Sequence, residues 1–205
     1  MITEGQRALI ERLLLERISL RGICRAVGVG LQWLLQFMVT RFQAAPEHLY
    51  VEPPGGTPAV ILQRLEAELD ELWSFVGKKE NRQWVWIAMD AATRQVIAFH
   101  VGDRSSQSAT ALWEKIPAVY QERATFYTDQ YTVYTGVIPL ARHRAISKLA
   151  RKTNHVERFN CTLRQPVSRL VRETLSLSKN LANHIGTIKY FMCHYNLTKC
   201  AALPK

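Results

Sequence analysis

Little in this sequence points towards a membrane or an oxidising compartment. No apolar run approaches the ~20 residues that would span a bilayer. The opening stretch, MITEGQRALIERLLLERISL, spreads acids and bases among its apolar positions and lacks the organisation of a secretory leader. A cytoplasmic location is therefore expected. The four cysteines (Cys24, Cys161, Cys193 and Cys200) form no CxxC pair, so neither a zinc ribbon nor a thioredoxin-like motif is supported. Cys193, His194 and Cys200 come nearest to a metal cluster but lack a fourth ligand. Buried free thiols are expected instead, and no zinc site is predicted. Internal repeats and low-complexity segments are also missing.

What is present is a globular composition with an uneven charge. Apolar residues make up 47% of the 205, enough for a packed core. The net charge is +10. Residues 140–205 hold thirteen Lys and Arg against two acids, residues 59–139 eight against ten, and residues 1–58 six against five. The excess thus lies almost wholly in the last third. Lys and Arg concentrated in this way release counterions when they neutralise phosphates, so a polyanionic partner is indicated over a merely solvated basic surface.

Three regions follow one another along the chain. Residues 1–42 read as helical, with Ser19 as an N-cap, a short helix from Leu20 to Val27, a turn at Gly28 and a second helix from Leu31 to Phe42. This is a helix-turn-helix pattern, in which Gln32 and Gln36 would face a DNA groove. A helical hairpin used for packing fits the same pattern, and the second helix is poor in Arg and Lys. Residues 43–58 are rich in Pro and Gly and read as a linker. Residues 59–205 form the third region. Strands are expected at 67–77, 83–91 and 95–103, then a helix at 107–121 and strands at 124–129 and 143–147. Helices at 154–172 and 178–197 complete an α/β order with a mixed sheet.

Three acids stand where such a fold can present them. Asp70 lies within the first strand, Asp129 ends a short apolar strand, and Glu157 sits in the basic segment beside Lys152 and Arg158. Ligands gather beyond the carboxyl ends of strands in α/β sheets. Carboxylates from separate elements can hold hard cations such as Mg²⁺, which serve in-line displacement at phosphorus. Glu157 is equally readable as an ion-pair partner, and spacing alone does not choose.

The segments ELDELWSFVG, YTDQYTVY, VERFNCTLRQ and TLSLSKN, in this order, resemble the insertion-sequence-one (IS-one) family of DDE transposases from about Glu66 to His194. The resemblance implies a ribonuclease-H-like catalytic core with Asp70, Asp129 and Glu157 as its metal-binding catalytic triad. It implies two Mg²⁺ or Mn²⁺ ions, hydrolysis at transposon ends, and transfer of the freed 3′-OH into target DNA. Arg164, seven residues after Glu157 and on the same helix face, falls where the family carries a phosphate-gripping base. Terminal inverted repeats and target duplex are the implied partners, and a homodimer or larger synaptic complex the implied assembly. The resemblance does not reach the CxxC-bearing segment that longer members carry ahead of their helix-turn-helix. A catalytically inactive, transposase-derived DNA-binding repressor is the alternative, against which the three intact acids argue. Another ribonuclease-H-like nuclease is a further one.

Around the triad, Arg151, Lys152, Arg158, Arg169, Arg172 and Lys179 form a basic set suited to phosphates, and His155 is a candidate DNA contact. Asn154 and Asn160 flank Glu157 and can support it, although Asn154 also reads as the helix N-cap. Glu71 should face away from Asp70. Asp90 and Asp103 read chiefly as turn formers. Trp84 and Trp86 share one strand face and read as core, while Tyr131 and Tyr134 follow the second Asp closely enough to pack beside it.

Overall fold

The computed structural model describes residues 2–51, 65–147, 152–167, 170 and 179–202. Helix α1 (Glu4–Leu13) opens on a capping box in which Thr3 and Gln6 satisfy each other's backbone N–H groups. Helix α2 (Leu20–Val27) is capped by Ser19, as expected, and ends on Gly28 with φ 75°. That left-handed conformation favours glycine and lets the chain leave the helix at once. Helix α3 (Leu31–Ala44) follows at 110° to α2. Ile10, Ile23, Leu34, Met38 and Phe42 form the core of this helical unit.

The sheet comprises β1 (Glu66–Phe75), β2 (Arg82–Asp90), β3 (Val96–Gly102), β4 (Thr125–Thr128) and β5 (His143–Ala145). Its order is β3-β2-β1-β4-β5, with β1, β2 and β3 antiparallel and β1, β4 and β5 parallel. This is the mixed sheet of the expected ribonuclease-H-like core. The predicted helix at 107–121 is two helices, α4 (Ser106–Lys115) and α5 (Ala118–Arg123). Pro117 breaks it, because proline supplies no N–H and pushes the preceding residue out of helical geometry; Ile116 has ψ 130°. Helix α6 (Asn154–Arg164) and helix α7 (Leu181–Ala202) complete the fold.

Alternation along β1 and β2 divides the core between the two sheet faces. Leu72, Val85, Ile87 and Met89 pack against Val156, Phe159, Leu163, Ile188 and Met192 from α6 and α7. Ala67, Leu69, Trp86 and Ala88 pack against Leu112, Ile116 and Tyr120 from the α4–α5 side. The helical unit joins the first of these layers through α7. Phe42 meets Tyr190 at 5.7 Å between ring centroids, and Gly186 lets the helices approach so closely that a Cβ there would stand 2.8 Å from Phe42. Of the predicted linker, residues 43–44 finish α3, Ala45 and Leu49 are buried in the core, and residues 52–58 lie outside the described residues.

Candidate active site

Asp70 lies midway along β1, and Asp129 directly follows β4, the parallel neighbour of β1. The parallel register pairs Glu66 with Thr125, Ala67 with Phe126 and Glu68 with Tyr127. Continued two residues further, it sets Asp129 opposite Asp70. Asp129 is no longer in the strand; its carboxylate accepts the N–H of Tyr131 at 3.0 Å and turns the chain into a 3-10 segment at Thr132–Gly136. Glu157 enters from the first turn of α6, where the Thr153 hydroxyl donates to it at 3.1 Å.

The three acids influence one another electrostatically. Burial pushes the Asp70 carboxyl up to about 7, and the like charges of Glu71, Asp129 and Glu157 add to the effect against a backbone N–H from Glu71. Asn160, itself buried, donates Nδ2 to Asp70 at 2.7 Å. The expected support from Asn160 therefore goes to Asp70, across 90 residues of sequence, rather than to its helix neighbour Glu157. Asn154 is the first helical residue and Thr153 the N-cap, correcting the alternative reading of Asn154.

An oxygen-only donor set, drawn from three segments and mutually repulsive, fits a hard divalent cation, which would discharge the repulsion. The buried Asn160 Oδ1 beside this set has no hydrogen-bond partner among the described residues. Among those residues no three His, Cys, Asp or Glu side chains already stand in ligand geometry around a common point.

Glu71 faces the opposite side of the sheet from Asp70, as alternation requires, pairing with Trp86 where Asp70 pairs with Ile87. Burial raises its pKa and Arg104 opposes the rise, donating to it at 3.2 Å. The Tyr134 hydroxyl also lies close enough to favour the charged carboxylate, although neither Tyr134 Oη nor Glu71 Oε1 completes a bond of ordinary geometry. Arg104 is stacked between Trp84 at 4.5 Å and Tyr131 at 4.3 Å, and its carbonyl accepts the Tyr131 hydroxyl at 2.8 Å. The loop after Asp129 is thereby fastened to β1 and β2. Trp86 is fully buried, as expected of a core residue, with its indole N–H on the Asp103 carbonyl.

Asp90 and Asp103 are turn formers. Asp90 accepts the N–H groups of Ala92 and Thr93 and the hydroxyl of Tyr120, and Asp103 accepts Ser105 and Ser108. The candidate DNA contacts divide. Lys152 is half exposed, 3.6 Å from Glu66 and over the Tyr127 ring, and Arg158 is exposed. Arg164 is half-buried at the end of α6, two turns from Glu157. His155 is seated between Glu68 and Arg94, and burial, with Arg94 and Arg158, lowers its pKa. Gln32 and Gln36 are exposed on α3. Arg151, Arg169 and Arg172 lie outside the described residues.

At the C-terminal end, Cys193 donates to the Pro46 carbonyl and burial pushes its thiol up to about 11. His194 packs on Tyr190, and Cys200 lies beside Gln95, so the three side chains engage different partners. Two residues escaped the sequence reading, Glu68 and Arg104. For Glu68 a signal existed, since it shares the Asp70 face of β1 by alternation.

The profile of one protein family, IS1 transposase, matches residues 63–197. The chain belongs to the IS1 transposase family. It is 34% identical over 126 residues to the insertion element IS1 protein InsB of Shigella flexneri, an alignment covering 62% of this chain and 92% of that protein. It is 28% identical over 155 residues to the insertion element IS1 9 protein InsB of Escherichia coli (strain K12), covering 72% and 90%. Among solved structures, a chain of a simian T-cell lymphotropic virus intasome, in complex with the PP2A regulatory subunit B56 gamma, aligns at 14% identity with a TM-score of 0.44. That alignment covers 89% of this chain and 66% of the other. Among the described residues no single helix is long and apolar enough to cross a membrane.

Proposed function

We propose that this IS1-family member is a DNA transposase of the DDE type. It hydrolyses a phosphodiester at the transposon end and directs the freed 3′-OH onto a phosphodiester of target DNA. The observation that supports this reading is that the charges of Asp129, at the end of the strand parallel to β1, and of Glu157, in the first turn of α6, both act on the buried Asp70 carboxyl in β1.

Asp70, Asp129 and Glu157 would hold two Mg²⁺ or Mn²⁺ ions through carboxylate oxygens. Bound there, the metal supplies Lewis acidity for the attacking and leaving oxygens. The protein's own part is placement. Asn160 orients Asp70 through its amide, Thr153 steadies the Glu157 carboxylate, and the Tyr131 N–H fixes Asp129. Lys152, just before α6, and Arg158 and Arg164 along it, with Arg151 beside them in sequence, would hold DNA phosphates.

The α2–α3 pair, with Gln32 and Gln36 outward, would act as a helix-turn-helix unit on the terminal inverted repeats. Residues 1–42 would then form the end-binding part, 43–58 the linker and 59–205 the catalytic domain. Joining two ends to one target calls for a homodimer or larger synaptic complex, acting on the bacterial nucleoid in the cytoplasm.

The test is direct. Purified protein with Mg²⁺ or Mn²⁺ should nick duplex DNA bearing the inverted repeats that flank the reading frame. Asp129→Ala should abolish nicking and leave the fold intact. Retarded DNA that is never nicked, in either metal, would establish the inactive repressor instead.

A further inference from the structure

Helix α6 carries Glu157, yet its N-cap residue Thr153 makes no side-chain cap. The Thr153 hydroxyl is turned to the Glu157 carboxylate instead. The first N–H groups of a helix need acceptors, and here the acceptor comes from the sheet. Glu68 Oε2 accepts the N–H of His155 at 2.8 Å and of Val156 at 3.0 Å.

We propose that Glu68 is a positioning residue that pins the first turn of α6, and with it Glu157, at a fixed place relative to Asp70. The inference rests on the transposase reading of the site and assigns Glu68 a part in it distinct from metal binding. Glu68 is 2% exposed, and a buried carboxylate is costly unless charge-assisted bonds reward it. Burial raises its pKa, Glu157 adds to the rise, and two backbone N–H groups at the positive end of α6 oppose it together with the charge of Arg94. Its second oxygen faces His155 Nε2 at 3.7 Å. Arg94 can only donate to His155 Nδ1, so the ring proton sits on Nε2 and points at Glu68.

Asp70 supplies a second attachment, through Asn160. The two attachments are commensurate. Two residues along a strand advance about 7 Å, and the four or five residues from His155 or Val156 to Asn160 advance about 6–7.5 Å along a helix. Glu68 and Asp70 therefore hold α6 alongside β1 at two points, and Glu157 lies between them in the helix sequence. One attachment would leave the helix free to swing; two fix its direction.

The experiment uses the full chain with Glu68→Gln. The amide oxygen can accept one N–H, while the new NH₂ opposes the other. Hydrogen exchange of the His155 and Val156 amides should speed at least tenfold relative to the remainder of α6, whether or not the protein cuts DNA. Nicking turnover at saturating DNA should fall by roughly 10- to 100-fold, the scale of a misplacement near 1 Å. The affinity for DNA should stay within twofold. Unchanged exchange overturns the proposal regardless of any cutting result, as does raised exchange with full turnover. Raised exchange in a protein whose wild type never cuts overturns the transposase reading and leaves the pinning established. Should Glu68→Gln fail to fold, Glu68→Asp keeps the charge and shortens the reach by one methylene. The same loss of turnover and gain in exchange are expected of it, and wild-type values in both would overturn the proposal.

Discussion

Helices α3 and α6 are both read as DNA-facing, and they are built on opposite lines. Along α6, Asn160 ties the helix to the sheet through Asp70, Thr153 bonds Glu157 within the first turn, and Arg158 stands exposed. Along α3 the sole charged residue is Arg41, and it is engaged with Glu11 at 2.6 Å. Leu31, Leu35 and Val39, each 37% exposed, run beside Gln32 and Gln36. The difference separates chemistry from recognition. In the proposed reading, placement of the site rests on buried polar bonds between α6 and the sheet. Helix α3 offers neutral hydrogen-bonding groups among apolar ones, so it adds little to the phosphate term that dominates DNA affinity.

The largest effect should come from α6. Glu157→Gln keeps the side-chain size and removes the charge, and should lower nicking turnover on the order of 10³-fold or more, since several kcal/mol of transition-state stabilisation go with the site. Single-turnover cleavage at saturating DNA measures it; a loss below tenfold would place Glu157 among the ion-pair partners.

Next comes stability. The Asp70 carboxyl takes up its proton more readily folded, near 7, than unfolded, near 3.8. The contribution of Asp70 to stability in chelated, metal-free buffer is therefore fully present below about pH 4, is lost as the pH rises towards 7, and is level above. Asp70→Asn keeps an acceptor for Asn160 and removes the charge. It should stabilise the metal-free protein on the order of 2 kcal/mol at pH 8 and by nothing near pH 4. Urea unfolding at both pH values reads the difference, and equal stabilisation at both would remove the electrostatic account of Asp70.

Smaller still is the effect on DNA affinity. Replacing Lys152 and Arg158 together by Gln should flatten the slope of log affinity against log salt by between one and two, the lower value because Lys152 also meets Glu66. The corresponding change on the other helix, Gln32→Ala with Gln36→Ala, should leave that slope unaltered. It should weaken binding to terminal-repeat DNA alone, by about 1–3 kcal/mol. Fluorescence anisotropy across a salt series tests both pairs. A slope change from the α3 pair would erase the contrast drawn between the helices.

The sequence made the strands and the turn residues readable, because alternation, β-branched runs and Asp at turns act locally. Apolar spacing predicts one helix at 107–121, but Pro117, which lacks an N–H and keeps Ile116 out of helical geometry, splits it in two. Asp70, Asp129 and Glu157 are proposed from the family resemblance of the segments that hold them, since spacing alone does not choose among the acids. Their supports were less legible. Asn160 was expected to serve its helix neighbour and serves a strand instead. The bonds of Glu68 span 87 and 88 residues, and no local pattern announces which helix end will arrive over which strand. His155 reads in the sequence as a candidate DNA contact, and bonds of the same long range seat it between Glu68 and Arg94.

The central claim is that Asp70, Asp129 and Glu157 make one cation site, and Mn²⁺ binding tests it without needing DNA or turnover. Titration of the purified protein, with free Mn²⁺ followed by electron paramagnetic resonance, should show saturable binding. Each of Asp70→Ala, Asp129→Ala and Glu157→Ala should weaken it at least tenfold while far-ultraviolet circular dichroism stays unchanged. Binding of wild-type strength in all three folded variants would contradict the account.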